Sequence, residues 1–435
     1  MFWLAYSDEH GAMFDEPGLA PLGRSWDEIW EVRDQDMIPL PEGSALVMLP
    51  GRQALGMSKA TGEAQAVWIG PDDGPGEREF PGWAVGALLP AGYTRTLLPA
   101  YARDSAERPV PLPLYGYAAV GMRGGRPYVA ALKTDDPSRW DPRRYNTPDL
   151  SALVDARVGE LPGNRILRQL AKCALEYRCF TAQNVFYRRW EAGIPVSPAC
   201  SAACIGCISL QPAECCPSPQ ARIDFVPSLE EIVEVAVPHL RDAPEAIISF
   251  GQGCEGEPLL QADLIAHAIK RTRAVVGEGL ININTNAGSA EDVKKICTAG
   301  LDSMRVSLIS ARAEVYDLYH RPRAYKFEDV EASVAAAKDS GVYVSVNLLV
   351  FPGLTDREEE LDALCAFIDR TRIDMVQLRN LNIDPDVLTS ALPGPEGRVL
   401  GVREFVRGIR ARFPNLRVGS FSPSREGLRG PSQDR

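Results

Sequence analysis

The chain has 435 residues, 45% of them hydrophobic and 24% charged, with a formal net charge of −11. This is the composition of an ordinary globular protein, long enough for a large catalytic domain beside a smaller one. The acidic balance and the lack of a long basic tract argue against nucleic acid as a main partner, because phosphate binding requires clustered Lys and Arg.

The N-terminal stretch MFWLAYSDEHGAMF has no basic region and no long apolar run, so it does not read as a signal peptide. No stretch approaches the ~18 to 20 apolar residues of a membrane span. A cytoplasmic location and no membrane partner are therefore expected. In that compartment the ten cysteines read as metal ligands, redox groups or buried thiols rather than as a disulfide framework.

Residues 1–150 are rich in Pro and Gly and hold short apolar runs such as SALVMLP, AVWIG and PYVAALK. They read as a small β-rich domain with many turns and no chemical motif, its role open. Residues 151–195 read as a helical linker, with Ile166, Leu170, Cys173 and Ala174 at helical spacing. From 196 to 422 strand-like and helix-like segments alternate. Strands are expected at 193–199 (GIPVSPA), 246–250, 280–285, 304–309, 343–350, 374–383 and 416–420. Ser228-x-x-Glu231 and Thr355-x-x-Glu358 read as capping boxes, and Gly300 and Gly341 as left-handed helix ends. Such alternation predicts an α/β fold with a parallel sheet, as a partial or full (βα) barrel or an open doubly wound sheet. The polar tail, 423–435, is expected to be disordered.

Four of these strands carry one apolar and one polar face. Asn282, Asn284 and Asn286 alternate with Ile281 and Ile283, and Arg305 and Ser307 with Val306 and Leu308. Likewise Ser345 and Asn347 alternate with Val344 and Val346, and Gln377 and Arg379 with Val376 and Leu378. A buried parallel strand is ordinarily apolar throughout. The polar faces therefore line either a self-satisfied polar network or a cavity for a polar small molecule, since an unpaired buried polar group costs about 2 kcal/mol or more.

Residues 198–211, PACSAACIGCISLQ, place Cys200, Cys204 and Cys207 at C-x3-C-x2-C spacing. A structural zinc site completed by Cys215 and Cys216, a thiol redox pair and an electron-carrying cluster are the plainer readings. The triad's position after the first strand of a βα series favours a [4Fe–4S] cluster held by three thiolates, with one iron open. That loop resembles the signature of the radical S-adenosylmethionine (radical SAM) superfamily. SFGQGCEGEPLL resembles the family's Gly-Gly-Glu-Pro motif, here Glu255-Gly256-Glu257-Pro258 with the first glycine replaced. Asn284, Asn286, Arg305, Ser307 and Asn347 occupy strand positions where the family contacts the cofactor.

The resemblance covers roughly 196 to 385 and implies a [4Fe–4S] cluster on Cys200, Cys204 and Cys207. It implies S-adenosylmethionine held by Gly256, Glu257 and the strand residues, and an external one-electron reductant of flavodoxin or ferredoxin type. Reductive cleavage would then yield a 5′-deoxyadenosyl radical acting on a substrate that the sequence does not reveal; no catalytic residue beyond the cofactor site is assigned. Glu257 is expected to meet the methionine ammonium and Arg305 its carboxylate. Arg379 is a candidate for an anionic substrate, or a structural or solvated Arg. Gly206 stands where the family commonly carries an aromatic near the adenine, so no adenine contact is assigned. Whether Cys215, Cys216 or Cys254 hold a second cluster is open. His239, His267 and His320 lack metal spacing and read as structural or exposed. The competing reading is a non-catalytic metal- or cluster-stabilised scaffold, or an electron-transfer iron–sulfur protein.

Overall fold

The computed structural model describes residues 1–70, 80–102, 110–210 and 219–429. Cys215 and Cys216 lie outside the described residues, as do residues 430–435 at the end of the expected tail. By contact the chain divides into two units: 1–138 with 350–361 and 380–408, and 139–349 with 362–379 and 409–435. The first unit thus takes two segments from the stretch that the sequence assigns to the barrel.

The first unit is built on a 13-stranded sheet whose pairings are antiparallel. Its core includes Ala5, Val85, Ala87, Ala118, Val120, Val129 and Ala131, residues small enough for strands to pack closely. Segment 380–408 is pinned to it by buried arginines that hydropathy alone would place outside. Arg24 bonds Asp386 at 2.8 Å and the Tyr101 hydroxyl at 2.6 Å. Arg52 pairs with Asp384, and both are at most 2% exposed. Arg95 donates to the carbonyls of Tyr115 and Leu381.

The second unit begins with helices Leu150–Glu160, Arg165–Leu175 and Phe180–Tyr187. Ile166, Leu170, Cys173 and Ala174 form the buried face of the second helix, as its 3.6-residue spacing requires. Seven strands then pair in chain order: β1 Glu191–Gly193, β2 Ile247–Phe250, β3 Leu280–Thr285, β4 Ser303–Leu308, β5 Tyr343–Val350, β6 Met375–Asn380 and β7 Arg417–Gly419. β1–β2, β2–β3, β3–β4, β4–β5 and β6–β7 pair in parallel. A doubly wound sheet reverses its strand order partway, so sequential order excludes that alternative. Among the described residues β1 and β7 do not pair, so the sheet stays open rather than closing into a full barrel.

β1 lies two residues before the expected strand and ends at Gly193. Beyond it Ile194 keeps one ladder bond, to Ser249 O at 2.9 Å, and the chain then leaves the sheet toward the cysteines. The Ser228 capping box forms as expected. That at Thr355 does not: the helix starts at Glu358, and Thr355 Oγ1 accepts the Phe351 N–H instead. Gly300 and Gly341 take φ of 109° and 77°, the left-handed geometry expected at their helix ends. Residues Arg425–Arg429 form a short helix inside the tail expected to be disordered. Among the described residues no helix is long and apolar enough to cross a membrane.

Candidate active site

In a parallel sheet every loop that follows a strand emerges at the same edge, so the sequence motifs converge there. The cysteine loop follows β1, the Glu255–Pro258 loop follows β2, Asn286 follows β3, and the helix Ala313–His320 follows β4. Backbone bonds sew the four together. Gly256 N donates to Ser197 O at 2.7 Å and Glu257 N to Ala199 O at 2.8 Å. Ala203 N donates to His320 O and Ile205 N to Tyr319 O, both at 3.0 Å, while Arg323 N reaches Ser201 O at 2.9 Å. Asn286 Nδ2 adds a bond to Ser201 Oγ at 2.9 Å. The cysteine loop therefore has a defined shape although it contains no helix or strand.

Gly256 is required by this stitching. A Cβ there would lie 1.9 Å from the Ala199 carbonyl oxygen. Gly251, at φ 81°, bends the chain out of β2, and a Cβ would meet the Asn284 carbonyl oxygen at 1.9 Å.

Cys200, Cys204 and Cys207 are half-buried thiols. Burial raises the Cys200 thiol and pushes Cys204 up to about 12, the neighbouring thiols adding to the rise at Cys204. Three thiols crowded in a partly dry site resist ionising together unless a cation compensates them. Cys204 Sγ lies 3.3 Å from His320 Nδ1. Cys207 Sγ lies 3.5 Å from Arg222 Nη2 and 3.7 Å from Ser209 Oγ. Among the described residues no three His, Cys, Asp or Glu side chains are gathered as round a single metal ion. A polynuclear iron–sulfur cluster, which takes one thiolate per iron, fits this donor set.

The two glutamates of the adjacent loop have separate tasks. Glu255 replaces the motif's first glycine, and its carboxylate accepts four backbone N–H groups. Val196 and Ser197 donate to Oε2 at 2.7 and 3.0 Å, Gly251 and Gln252 to Oε1 at 2.6 and 2.9 Å. One buried side chain thus ties the exit of β1 to the exit of β2. Burial raises this carboxyl to about 7 against the pull of those four donors. Glu257 accepts from Leu259 N at 3.0 Å, Thr285 Oγ1 at 2.5 Å and Asn286 N at 2.8 Å, and burial likewise raises it to about 7.

The polar strand faces divide into two levels. At the lower level they satisfy one another. Arg305, 5% exposed, pairs with Glu191 and donates to Ser249 Oγ at 3.0 Å. The Asn282 amide is best oriented with its oxygen toward Arg305 Nη2 at 2.9 Å and its nitrogen toward Ser303 Oγ at 2.8 Å. Gln377 bonds Ser345 Oγ at 3.2 Å. The structure therefore turns the Arg305 guanidinium to Glu191, where the sequence expected a cofactor carboxylate. At the upper level Asn284, Ser307, Asn347 and Arg379 are half-buried. Asn284 Nδ2 bonds the Gly251 carbonyl at 2.9 Å, and Arg379 Nη2 bonds Gln377 Oε1 at 3.0 Å. Asn347 Oδ1 is buried without a hydrogen-bond partner. The self-satisfied network is thus realised at the lower level, while the polar groups of the upper level are half-buried.

Residues 194–365 match the family model of the radical SAM superfamily. The chain carries a radical SAM domain. The cofactors of that superfamily are a [4Fe–4S] cluster and S-adenosylmethionine. No curated protein sequence matches the chain. Among solved structures it is similar to methylornithine synthase, at 15% identity and a TM-score of 0.38, over 61% of this chain and 78% of that one. It is similar to HydG, a maturase of the [FeFe]-hydrogenase, at 16% identity and a TM-score of 0.38, over 63% of each chain. A radical SAM methyltransferase from Sphaerobacter thermophilus matches at 16% identity and a TM-score of 0.40, over 54% of this chain and 66% of that one. The last two are thus spanned over less than two thirds of their own length.

At and beneath this site, sequence reasoning missed four residues. Glu255 stands in the motif and was legible only as a departure from it. Glu191, Arg222 and His320 carry no sequence signal, because each reaches the site from a distant segment. Gly206, in the place of the family's aromatic, meets the hydroxyl of the buried Tyr319 through its N–H. Cys254 is buried and its thiol meets that of Cys173. His239 is buried with Nε2 2.8 Å from Trp190 O, a structural role.

Proposed function

We propose that Cys200, Cys204 and Cys207 hold the [4Fe–4S] cluster of this radical SAM domain and that the chain uses it to cleave S-adenosylmethionine for reaction with an as yet unassigned substrate. The observation that carries this reading is the stitching of the three-cysteine loop to the Glu255–Pro258 loop at the strand-exit edge, above strands whose upper polar groups are half-buried. When bound and reduced by one electron, the cluster supplies cleavage of the cofactor's C–S bond to methionine and a 5′-deoxyadenosyl radical.

The chain's own residues bind, orient and shield. Cys200, Cys204 and Cys207 would hold the cluster through three thiolates, which would leave its fourth iron for the cofactor. Gly256 brings the backbone of its loop against the cysteine loop, so the carbonyls beside it can face the cofactor's ammonium. Glu257 has three of about four acceptor sites filled by protein donors, which leaves one for that ammonium. Its other task is to hold β3's exit at Thr285 and Asn286. Asn284, Asn286, Ser307 and Asn347 supply amide and hydroxyl groups at the upper level, where the unpartnered Asn347 Oδ1 suits a ribose hydroxyl. Arg305 acts from below, fixed by Glu191, as part of the floor. A flavodoxin or ferredoxin type protein is the reductant this chemistry requires.

The test is anaerobic reconstitution with iron and sulfide, then dithionite and S-adenosylmethionine, with detection of 5′-deoxyadenosine. Wild type should form it and Cys204→Ala should not. Formation by the variant at the wild-type rate would overturn the assignment. A scaffold or electron carrier would bind no S-adenosylmethionine and form none.

A further inference from the structure

His320 is 2% exposed and sits at the C-terminal end of the helix that follows β4. Its ring is held on two sides, stacked on Tyr316 at 4.3 Å and edge-on to Tyr319 at 5.0 Å between centroids. Its own carbonyl accepts the Ala203 N–H, and the preceding carbonyl accepts the Ile205 N–H. Both residues flanking Cys204 are therefore fastened to the helix end that carries the imidazole. The backbone bonds and the two flanking rings together bring Nδ1 within 3.3 Å of Cys204 Sγ.

The other ring nitrogen shows which partner is the donor. Nε2 is buried and has no hydrogen-bond partner. A neutral imidazole carries one hydrogen. If Cys204 were a thiol donating to Nδ1, that hydrogen would sit on Nε2 as a buried N–H with no acceptor, a desolvated donor left uncompensated by any bond. If Cys204 is a thiolate, the hydrogen moves to Nδ1 and bonds the sulfur. Nε2 then keeps only a lone pair, and orphaned acceptors are tolerated better than orphaned donors. The arrangement suits a cysteine that has given up its proton to bind metal.

We propose that His320 is a positioning residue that donates its Nδ1–H to the Cys204 thiolate and thereby makes the cluster easier to reduce. This rests on the reading that Cys200, Cys204 and Cys207 hold the cluster. A donor aimed at a cluster thiolate stabilises the reduced form more than the oxidised one, because reduction adds a negative charge that the sulfurs share.

The full chain is reconstituted anaerobically as wild type, His320→Phe and His320→Gln, and the one-electron midpoint is read by EPR through a dye titration. His320→Phe keeps a flat ring against Tyr316 but removes the donor. It should weaken reduction about tenfold, a shift of about 59 mV to more negative potential for one electron. His320→Gln retains an N–H and should recover most of that shift. A measurement without substitution guards against a variant that fails to fold. In reduced wild type labelled with 15N-histidine, pulsed EPR should show coupling to one histidine nitrogen. Equal potentials in all three proteins, or a loaded wild type without histidine coupling, overturns the inference and leaves the cluster reading intact. A wild type that takes up no cluster overturns both.

Discussion

Gly256→Ala is a single methyl group placed where the cofactor site is assembled. The new Cβ would lie 1.9 Å from the Ala199 carbonyl oxygen, 2.5 Å from its carbon and 3.1 Å from Cys200 N. Ordinary contact of these atoms needs roughly 3.5 Å, so the two loops must part by more than about 1 Å. That separation removes the bonds Gly256 N to Ser197 O and Glu257 N to Ala199 O, at 2.7 and 2.8 Å. Two backbone bonds at about 0.5 to 1.5 kcal/mol each, with about 1 to 3 kcal/mol of overpacking, give a loss of about 2 to 6 kcal/mol. Against a total stability of about 5 to 15 kcal/mol the chain should still fold. The displaced atoms flank Cys200, so cluster uptake should fall with stability. Urea denaturation at unchanged slope measures the first effect and iron per chain the second. Gly277→Ala is the control, since a Cβ there meets nothing within 4 Å. A Gly256→Ala protein within about 0.5 kcal/mol of wild type, and fully loaded with iron, would refute the stitching argument.

Glu191→Ala leaves the Arg305 guanidinium buried without its carboxylate and should cost about 3 to 5 kcal/mol in chemical denaturation, much of it recovered when Arg305→Met is added. Arg52→Met strands Asp384 in the first unit and should lower stability by a similar amount, about 3 to 5 kcal/mol, read as a drop in the thermal midpoint. The Glu257 carboxyl is raised by burial to about 7, above its unfolded range, so the native state holds the proton more tightly. Its contribution to stability is fully present below about pH 4.3 and is lost as pH rises through about 7, at no more than about 1.4 kcal/mol per pH unit. Denaturation midpoints of wild type should therefore fall from about pH 5 to pH 7 relative to those of Glu257→Gln, and a difference that grows in the opposite direction would contradict this.

Strand and helix positions in the radical SAM domain were legible because each follows from local chemistry. Ile281 and Ile283 alternate with asparagines, and these isoleucines are fully buried as that period requires. Ser228 caps its helix through neighbours three residues away. Thr355 shows the limit of the same logic, since its hydroxyl found a nearer donor in Phe351 N and the helix began later. Strand order was open between wound and doubly wound sheets, because alternation alone does not say which strands become neighbours.

The three cysteines, the Glu255–Pro258 motif and the polar strand faces are written in the chain itself, because ligand spacing, glycine geometry and the two-residue strand period act within a few residues. Which polar groups would be consumed by the protein was decided only when distant segments met. Glu191 claims Arg305 across 114 residues, and His320 reaches Cys204 across 116. Hydrogen bonds and ion pairs are short-ranged, so partners set far apart along the chain are chosen by the packing that brings them within about 3 Å, and no local pattern records that choice.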